Sequence, residues 1–207
     1  MHHGSTSYCL ARIFAAAALA ACAAAAPQLA QAKALVLYFS MLGPDYPASA
    51  HPDESMGHTQ YVAYAIKDAV DGDIFRVGPA KPYQYRDYNE LLSIAKSERQ
   101  CNARPEMKGE LPDLSKYDTV YVGSALWWSD YPMVFYTMLD RYDFGGKVLV
   151  AFNTNGGTGA GVMVSTLKRA EPNAKVLDDC MHIRNADAKQ SNGEVKTWLN
   201  AHGLVPR

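Results

Sequence analysis

Five short runs, dense in β-branched and aromatic residues, recur along this chain. They are Ala34-Leu-Val-Leu-Tyr-Phe39, Asp73-Ile-Phe-Arg-Val77, Thr119-Val-Tyr-Val122, Lys147-Val-Leu-Val-Ala-Phe152 and a last stretch at Lys175 to Leu177 that resumes at Met181 to Ile183. The first, third and fourth are apolar without polar alternation, the pattern of strands buried on both faces of a parallel sheet. Helical spacing fills the intervals. Val62, Ala65, Ile66, Ala69 and Val70 form one apolar face after Gly57-His58-Thr59, and Tyr88 to Gln100 places Leu91, Leu92 and Ala95 inward. Pro132 suits a first helical position before Met133 to Tyr142, and further helices are expected near Val162 to Ala170 and Gly193 to His202. Strand and helix in strict alternation predict a three-layer, doubly wound α/β sandwich with right-handed crossovers.

Two stretches break the rhythm. Leu42 to Met56 holds Pro44, Pro47, Pro52, Asp45, Asp53 and Glu54 and reads as an irregular acidic loop. Gly78 to Tyr117 is a long second crossover. Its Tyr83, Tyr85 and Tyr88 are expected to pack and hydrogen-bond locally, since a buried tyrosine needs only an apolar bed and a polar partner.

Candidate chemistry lies where strands end. In an open α/β sheet the carboxyl ends of the strands share one edge, so the loops leaving them meet there. Ser40 and Thr59 offer hydroxyls, and the helix opening at Gly57-His58-Thr59 offers unpaired N–H groups and a positive dipole end, a setting suited to phosphate. Trp127 and Trp128 follow Gly123-Ser-Ala125 in what reads as an extended loop, where neighbours point in opposite directions; one indole is expected to cap the core and the other to stack. The third exit, Asn153-Thr-Asn-Gly-Gly-Thr-Gly-Ala-Gly161, lets backbone groups, those of Gly156 and Gly157 in particular, approach the polar edge of a ring. A phosphate, a flat ring and a polar ring edge together describe a mononucleotide. No GxGxxG follows the first strand and no P-loop lysine is present, which argues against dinucleotides and nucleoside triphosphates. No cysteine, Ser-His or paired-carboxylate arrangement suggests a protein nucleophile or general acid.

Composition narrows this reading. At 207 residues, 48% hydrophobic and 20% charged, the chain suits one globular domain. Residues 1–32 read as a secretion signal: Arg12 is formally charged, Ile13 to Ala26 is apolar but too short to span a bilayer, and Ala30-Gln31-Ala32 has the small-x-small cleavage pattern. Leu19-Ala20-Ala21-Cys22 resembles a lipobox and competes as a processing site. The expected location is exported and periplasmic, with a membrane reached only through that N-terminal lipid. Without residues 1–32 the charge is −2, no footprint for nucleic acid. Cys101 and Cys180 are expected in different elements as free or buried thiols rather than a disulfide. Leu204-Val205-Pro206-Arg207 reads as a tag remnant, leaving 33–203 as the domain.

Five ordered segments resemble the flavodoxins, in particular a bacterial group with a long second crossover. They are Leu35-Val-Leu-Tyr-Phe-Ser40, Leu111-Pro-Asp-Leu-Ser-Lys-Tyr-Asp118, Leu126-Trp-Trp-Ser-Asp130, Tyr142-Asp-Phe-Gly-Gly-Lys147 and the Gly-Gly-Thr-Gly loop. The resemblance implies a five-stranded parallel sheet of order 2-1-3-4-5 and non-covalent FMN. It places the phosphate at Ser40, Gly57, His58 and Thr59, and the isoalloxazine against Ala125, Leu126, Trp127 and Trp128. Asn153, Thr154, Asn155, Gly156, Gly157, Thr158 and Gly159 would wrap its other side. His58 stands where the family has Asn, Ala125 where Pro is common and Ser129 where Gly is, and an acidic insertion splits the phosphate loop. His58 is expected to serve the helix start through its backbone. The implied function is electron transfer with a partner protein or a small acceptor such as a quinone. The alternative is an exported binding module that keeps the fold without stable FMN.

Overall fold

The computed structural model of the chain describes residues 33–41 and 56–205, and Met1. The secretion signal, the lipobox and most of the acidic insertion lie outside the described residues. Strands β1 (Ala34–Tyr38), β2 (Asp73–Arg76), β3 (Thr119–Ala125), β4 (Val148–Asn155) and β5 (Lys175–Arg184) alternate with helices α1 (His58–Val70), α2 (Tyr88–Gln100), α3 (Met133–Arg141), α4 (Met163–Ala170) and α5 (Asn192–Ala201). The sheet runs β2-β1-β3-β4-β5 with every neighbouring pair parallel, the order the resemblance implied.

Side chains alternate across each strand, so one apolar run serves two cores. Leu35, Leu37, Phe39, Val120, Val122 and Leu149 face one side, beneath Val134, Phe135 and Met138 of α3 and Met163 and Leu167 of α4. Val36, Tyr38, Tyr121, Val150, Phe152 and Ile183 face the other, beneath Val62 and Ile66 of α1 and Val195 and Leu199 of α5. Each fully buried aliphatic or aromatic side chain contributes about 2 kcal/mol. This is why the strands carry no polar alternation.

Several boundaries differ from the sequence reading, each for a tertiary reason. The third strand, read in sequence as Thr119 to Val122, runs on through Gly123, Ser124 and Ala125 in register with Phe152, Asn153 and Thr154 of β4. A Cβ at Gly123 would fall 2.3 Å from the Phe152 ring, so this glycine makes room for a core aromatic. Asn153, Thr154 and Asn155 likewise extend β4, paired with His182, Ile183 and Arg184 of β5. The broken last strand is one strand with a register shift: Leu149 pairs with Val176, but Ala151 pairs with Cys180. Pro132 is the residue before α3 rather than its first. Leu91 and Ala95 of α2 are buried, whereas Leu92 is only partly so. Leu204 and Val205, set aside in sequence as a tag remnant, pack on the α1/α5 core, and Tyr121 Oη donates to the Leu204 carbonyl at 3.3 Å. Cys101 is exposed and Cys180 buried, both as free thiols.

Candidate functional site at the carboxyl rim of the sheet

β1, β3 and β4 deliver the three predicted segments to one edge. β1 ends through Phe39, whose N–H bonds the Gly123 carbonyl at 3.0 Å, and through buried Ser40, whose carbonyl accepts from Arg76 Nη2 at 2.9 Å. Gly57, extended at ψ 156°, caps α1 without any side-chain bond; His58 is the first helical residue. The intrahelical ladder opens with Tyr61 N–H to the Gly57 carbonyl, 3.1 Å, so the first-turn amides point beyond the helix. No acidic residue occupies that turn to oppose an anion. Thr59 is buried there, its Oγ1 2.7 Å from Oγ1 of Thr154. With Thr154 as donor, the Thr59 proton stays available for a phosphate oxygen. Thr154, expected beside the ring, thus touches Thr59, which was expected at the phosphate.

The tryptophans do not sit in an extended loop. Trp127 and Asp130 exchange both backbone bonds, N–H to carbonyl at 2.9 and 3.2 Å, closing a tight turn. Its central residues, Trp128 at φ +52° and Ser129 at +67°, occupy the left-handed region, as a type I′ turn requires. Trp127 turns inward, edge-on to Phe39 at 5.5 Å between centroids and tilted against Tyr83 at 5.1 Å. Trp128 stays 47% exposed; its Nε1 donates to the Leu92 carbonyl at 3.2 Å, and Lys96 Nζ lies 5.8 Å over its ring. One indole supports the rim and the other has surface to offer. Ala125 and Leu126 lead into the turn half-buried, with Leu126 N–H on the Thr154 carbonyl at 3.2 Å.

The glycine loop is built on Asn155. Its Oδ1 accepts from Gly157 N–H and Thr158 N–H at 2.6 and 2.7 Å, and its Nδ2 donates to Asn153 Oδ1 and the Gly159 carbonyl at 2.6 and 2.9 Å. The Gly157 amide, expected to face a ring nitrogen, is therefore engaged by Asn155. Asn153 Nδ2 in turn bonds the Ala160 carbonyl at 3.4 Å. Side chains of Asn153 and Asn155 shape the loop from below, while Gly156, Thr158 and Gly159 form its exposed or half-exposed crest.

Tertiary contacts add residues that were not among the predicted set. Val162 N–H bonds the Ser129 carbonyl at 2.8 Å, tying the glycine loop to the tryptophan turn. A Cβ on Gly161 (φ +60°) would meet that same carbonyl oxygen at 2.2 Å, so the tie needs glycine. Buried Asp130 and Arg99 of α2 pair at 3.3 Å behind the turn. Tyr83 Oη donates to Glu98 Oε2 at 2.9 Å. Burial pushes the Glu98 carboxyl up, a shift the tyrosine bond opposes. The Trp-Ser-Asp segment and the last glycine of the loop were visible in sequence, but their contacts were not.

Among the described residues no group of three or more metal-ligating side chains occurs, and no helix is long and apolar enough to cross a membrane.

A doubly wound sheet of order 2-1-3-4-5, with a helix N-terminus, an aromatic turn and a glycine loop meeting at its carboxyl rim, defines a flavodoxin-like protein. The chain belongs to the flavodoxin family, whose model matches residues 33–202. It is similar in structure to an inferred flavoprotein from Bacteroides eggerthii, 25% identical, with a TM-score of 0.63 over 82% of this chain and 96% of that one. A second, from Bacteroides uniformis, is 26% identical with a TM-score of 0.62 over 82% and 98%. The fold is also that of a Lactobacillus acidophilus flavoprotein solved in complex with FMN, 21% identical, TM-score 0.54 over 77% and 97%. None of the curated proteins matches the chain.

Proposed function

We propose that this chain binds FMN at the rim and moves electrons between a reduced donor and either a partner protein or a small acceptor such as a quinone. The observation that carries the reading is the convergence on one edge of an anion-ready helix start, with buried Thr59, and a half-exposed indole, Trp128. Family membership and the FMN held by the Lactobacillus relative support it. The donors fit the group. First-turn amides of α1 and the Ser40 and Thr59 hydroxyls suit a phosphate, and Trp128 offers an aromatic face to the ring. Bound there, FMN would supply the redox chemistry, and the protein's part is to position it and set its potential. Thr154 orients the Thr59 hydroxyl, Asn155 holds the loop crest, and Trp127 fills the space beneath.

Titration of the protein with FMN and riboflavin, followed by flavin fluorescence, tests this. The expected result is stoichiometric quenching by FMN and binding about tenfold weaker for riboflavin, which lacks the charged end. A colourless protein that quenches neither flavin overturns the reading and leaves the binding module. Reduction assays with NADH, NADPH and quinones then separate carrier from reductase. Export, read from residues 1–32, is part of the same proposal, and the N-terminal mass of the mature protein checks it.

A further inference from the structure

The tryptophan turn holds an unfavourable backbone. Two consecutive non-glycine residues, Trp128 and Ser129, hold positive φ, each an unfavourable conformation for an L-residue. Such backbone persists only where the surroundings over-determine it. Asp130, at the base of the turn, is 1% exposed, and a buried carboxylate is itself unfavourable unless well supplied with donors. Four donors reach it. Oδ1 accepts from Tyr131 N–H at 2.8 Å, and Oδ2 from Tyr136 Oη at 2.7 Å, Thr166 Oγ1 at 3.1 Å and Arg99 Nη1 at 3.3 Å. The last three come from α3, α4 and α2 respectively, so one carboxylate bonds the turn to three helices. Those three donors also line a groove of about 450 Å³ with Met133, Asp140 and Arg169. The long second crossover adds a further hold through the Trp128 Nε1 bond to Leu92 and the stack of Lys96 on the indole.

We infer that Asp130 is a positioning residue for the flavin ring. Its carboxylate, held from behind by Arg99, Tyr136 and Thr166, keeps the turn in its left-handed geometry and Trp128 at the orientation that meets the isoalloxazine. This inference rests on the FMN reading for its ligand, but not for the geometry. Asn at this position keeps the shape and loses an acceptor where hydroxyl and guanidinium donors converge. Tyr136→Phe and Thr166→Val each remove one donor from the groove side without altering the rim.

The test follows the Trp128 indole N–H by NMR, and FMN and riboflavin affinity by fluorescence, in wild type, Asp130→Asn, Tyr136→Phe and Thr166→Val. The expected result for Asp130→Asn is faster solvent exchange of the Trp128 indole proton and affinity lower by about tenfold. The loss should be the same factor for FMN and riboflavin, because the phosphate end is untouched. The single-donor variants should shift both readouts in the same direction by less, and they carry the test if Asp130→Asn fails to fold. An unchanged indole signal with unchanged affinities across the set overturns the inference. So does a loss confined to FMN, which would place the effect at the phosphate. If wild type binds neither flavin, the functional reading fails while the indole readout still decides whether Asp130 positions the turn.

Discussion

Ser129 shows how a single departure from the family pattern becomes a measurable quantity. It stands where the family has glycine, and its φ of +67° is a conformation that glycine adopts without the Cβ penalty. Ser129→Gly should therefore stabilise the fold by about 1 kcal/mol, seen as a rise of roughly 2–4 °C in the thermal midpoint. A lower midpoint would mean the serine side chain makes a contribution larger than its backbone strain. Trp128 is the half-exposed indole of the turn, the one proposed to meet the ring. Trp128→Ala should weaken FMN binding by about 1 kcal/mol, read as a several-fold rise in the dissociation constant, with little change in stability because the side chain is 47% exposed.

At the scale of elements, loops hold one another. The glycine loop closes on the tryptophan turn through Val162 N–H and the Ser129 carbonyl. Gly161→Ala would drive a Cβ to 2.2 Å from that carbonyl at a φ of +60°, so it should cost about 2 kcal/mol or more. Chemical denaturation gives the loss, and flavin titration of the folded fraction should show weaker binding. Helix α2 offers a pH-dependent contact. Burial raises the Glu98 carboxyl above its ordinary 4.5, so the folded state holds that proton more tightly than the unfolded chain. Its contribution is thus greatest at low pH and falls as pH rises from about 4.5 through the folded value. Glu98→Gln can still accept from Tyr83 and does not titrate. It should raise stability at neutral pH and flatten that fall, checked by urea midpoints at about pH 5 and about pH 8.

For the whole molecule, the two cysteines of the domain report on different events. Cys101 is exposed, whereas Cys180 is buried and its thiol is pushed up to about 12, mainly by burial. Iodoacetamide followed by peptide mass mapping should label Cys101 promptly and Cys180 only at the rate of opening, since a protonated, covered thiol does not react. Prompt labelling of both would show that β5 opens locally near its register shift.

Much of the architecture was legible because a buried parallel strand must be apolar on both faces, and short, valine-rich runs such as Leu35-Val-Leu and Val148-Leu-Val-Ala match that demand. The same holds for the periodic face of α1. The amino-acid order by itself determined the alternation of strand and helix, and therefore that Ser40, Thr59, the tryptophans and the glycine loop would share an edge. Tertiary structure alone decided what each residue does there. Gly123 yields to the Phe152 ring, Asn155 takes the Gly157 amide, Thr154 serves Thr59, and Asp130 fastens a turn to three helices. The physical reason is one of range. Periodicity is set by neighbours along the backbone, whereas steric room and hydrogen-bond partners come from residues remote in sequence, 95 positions apart for Thr59 and Thr154.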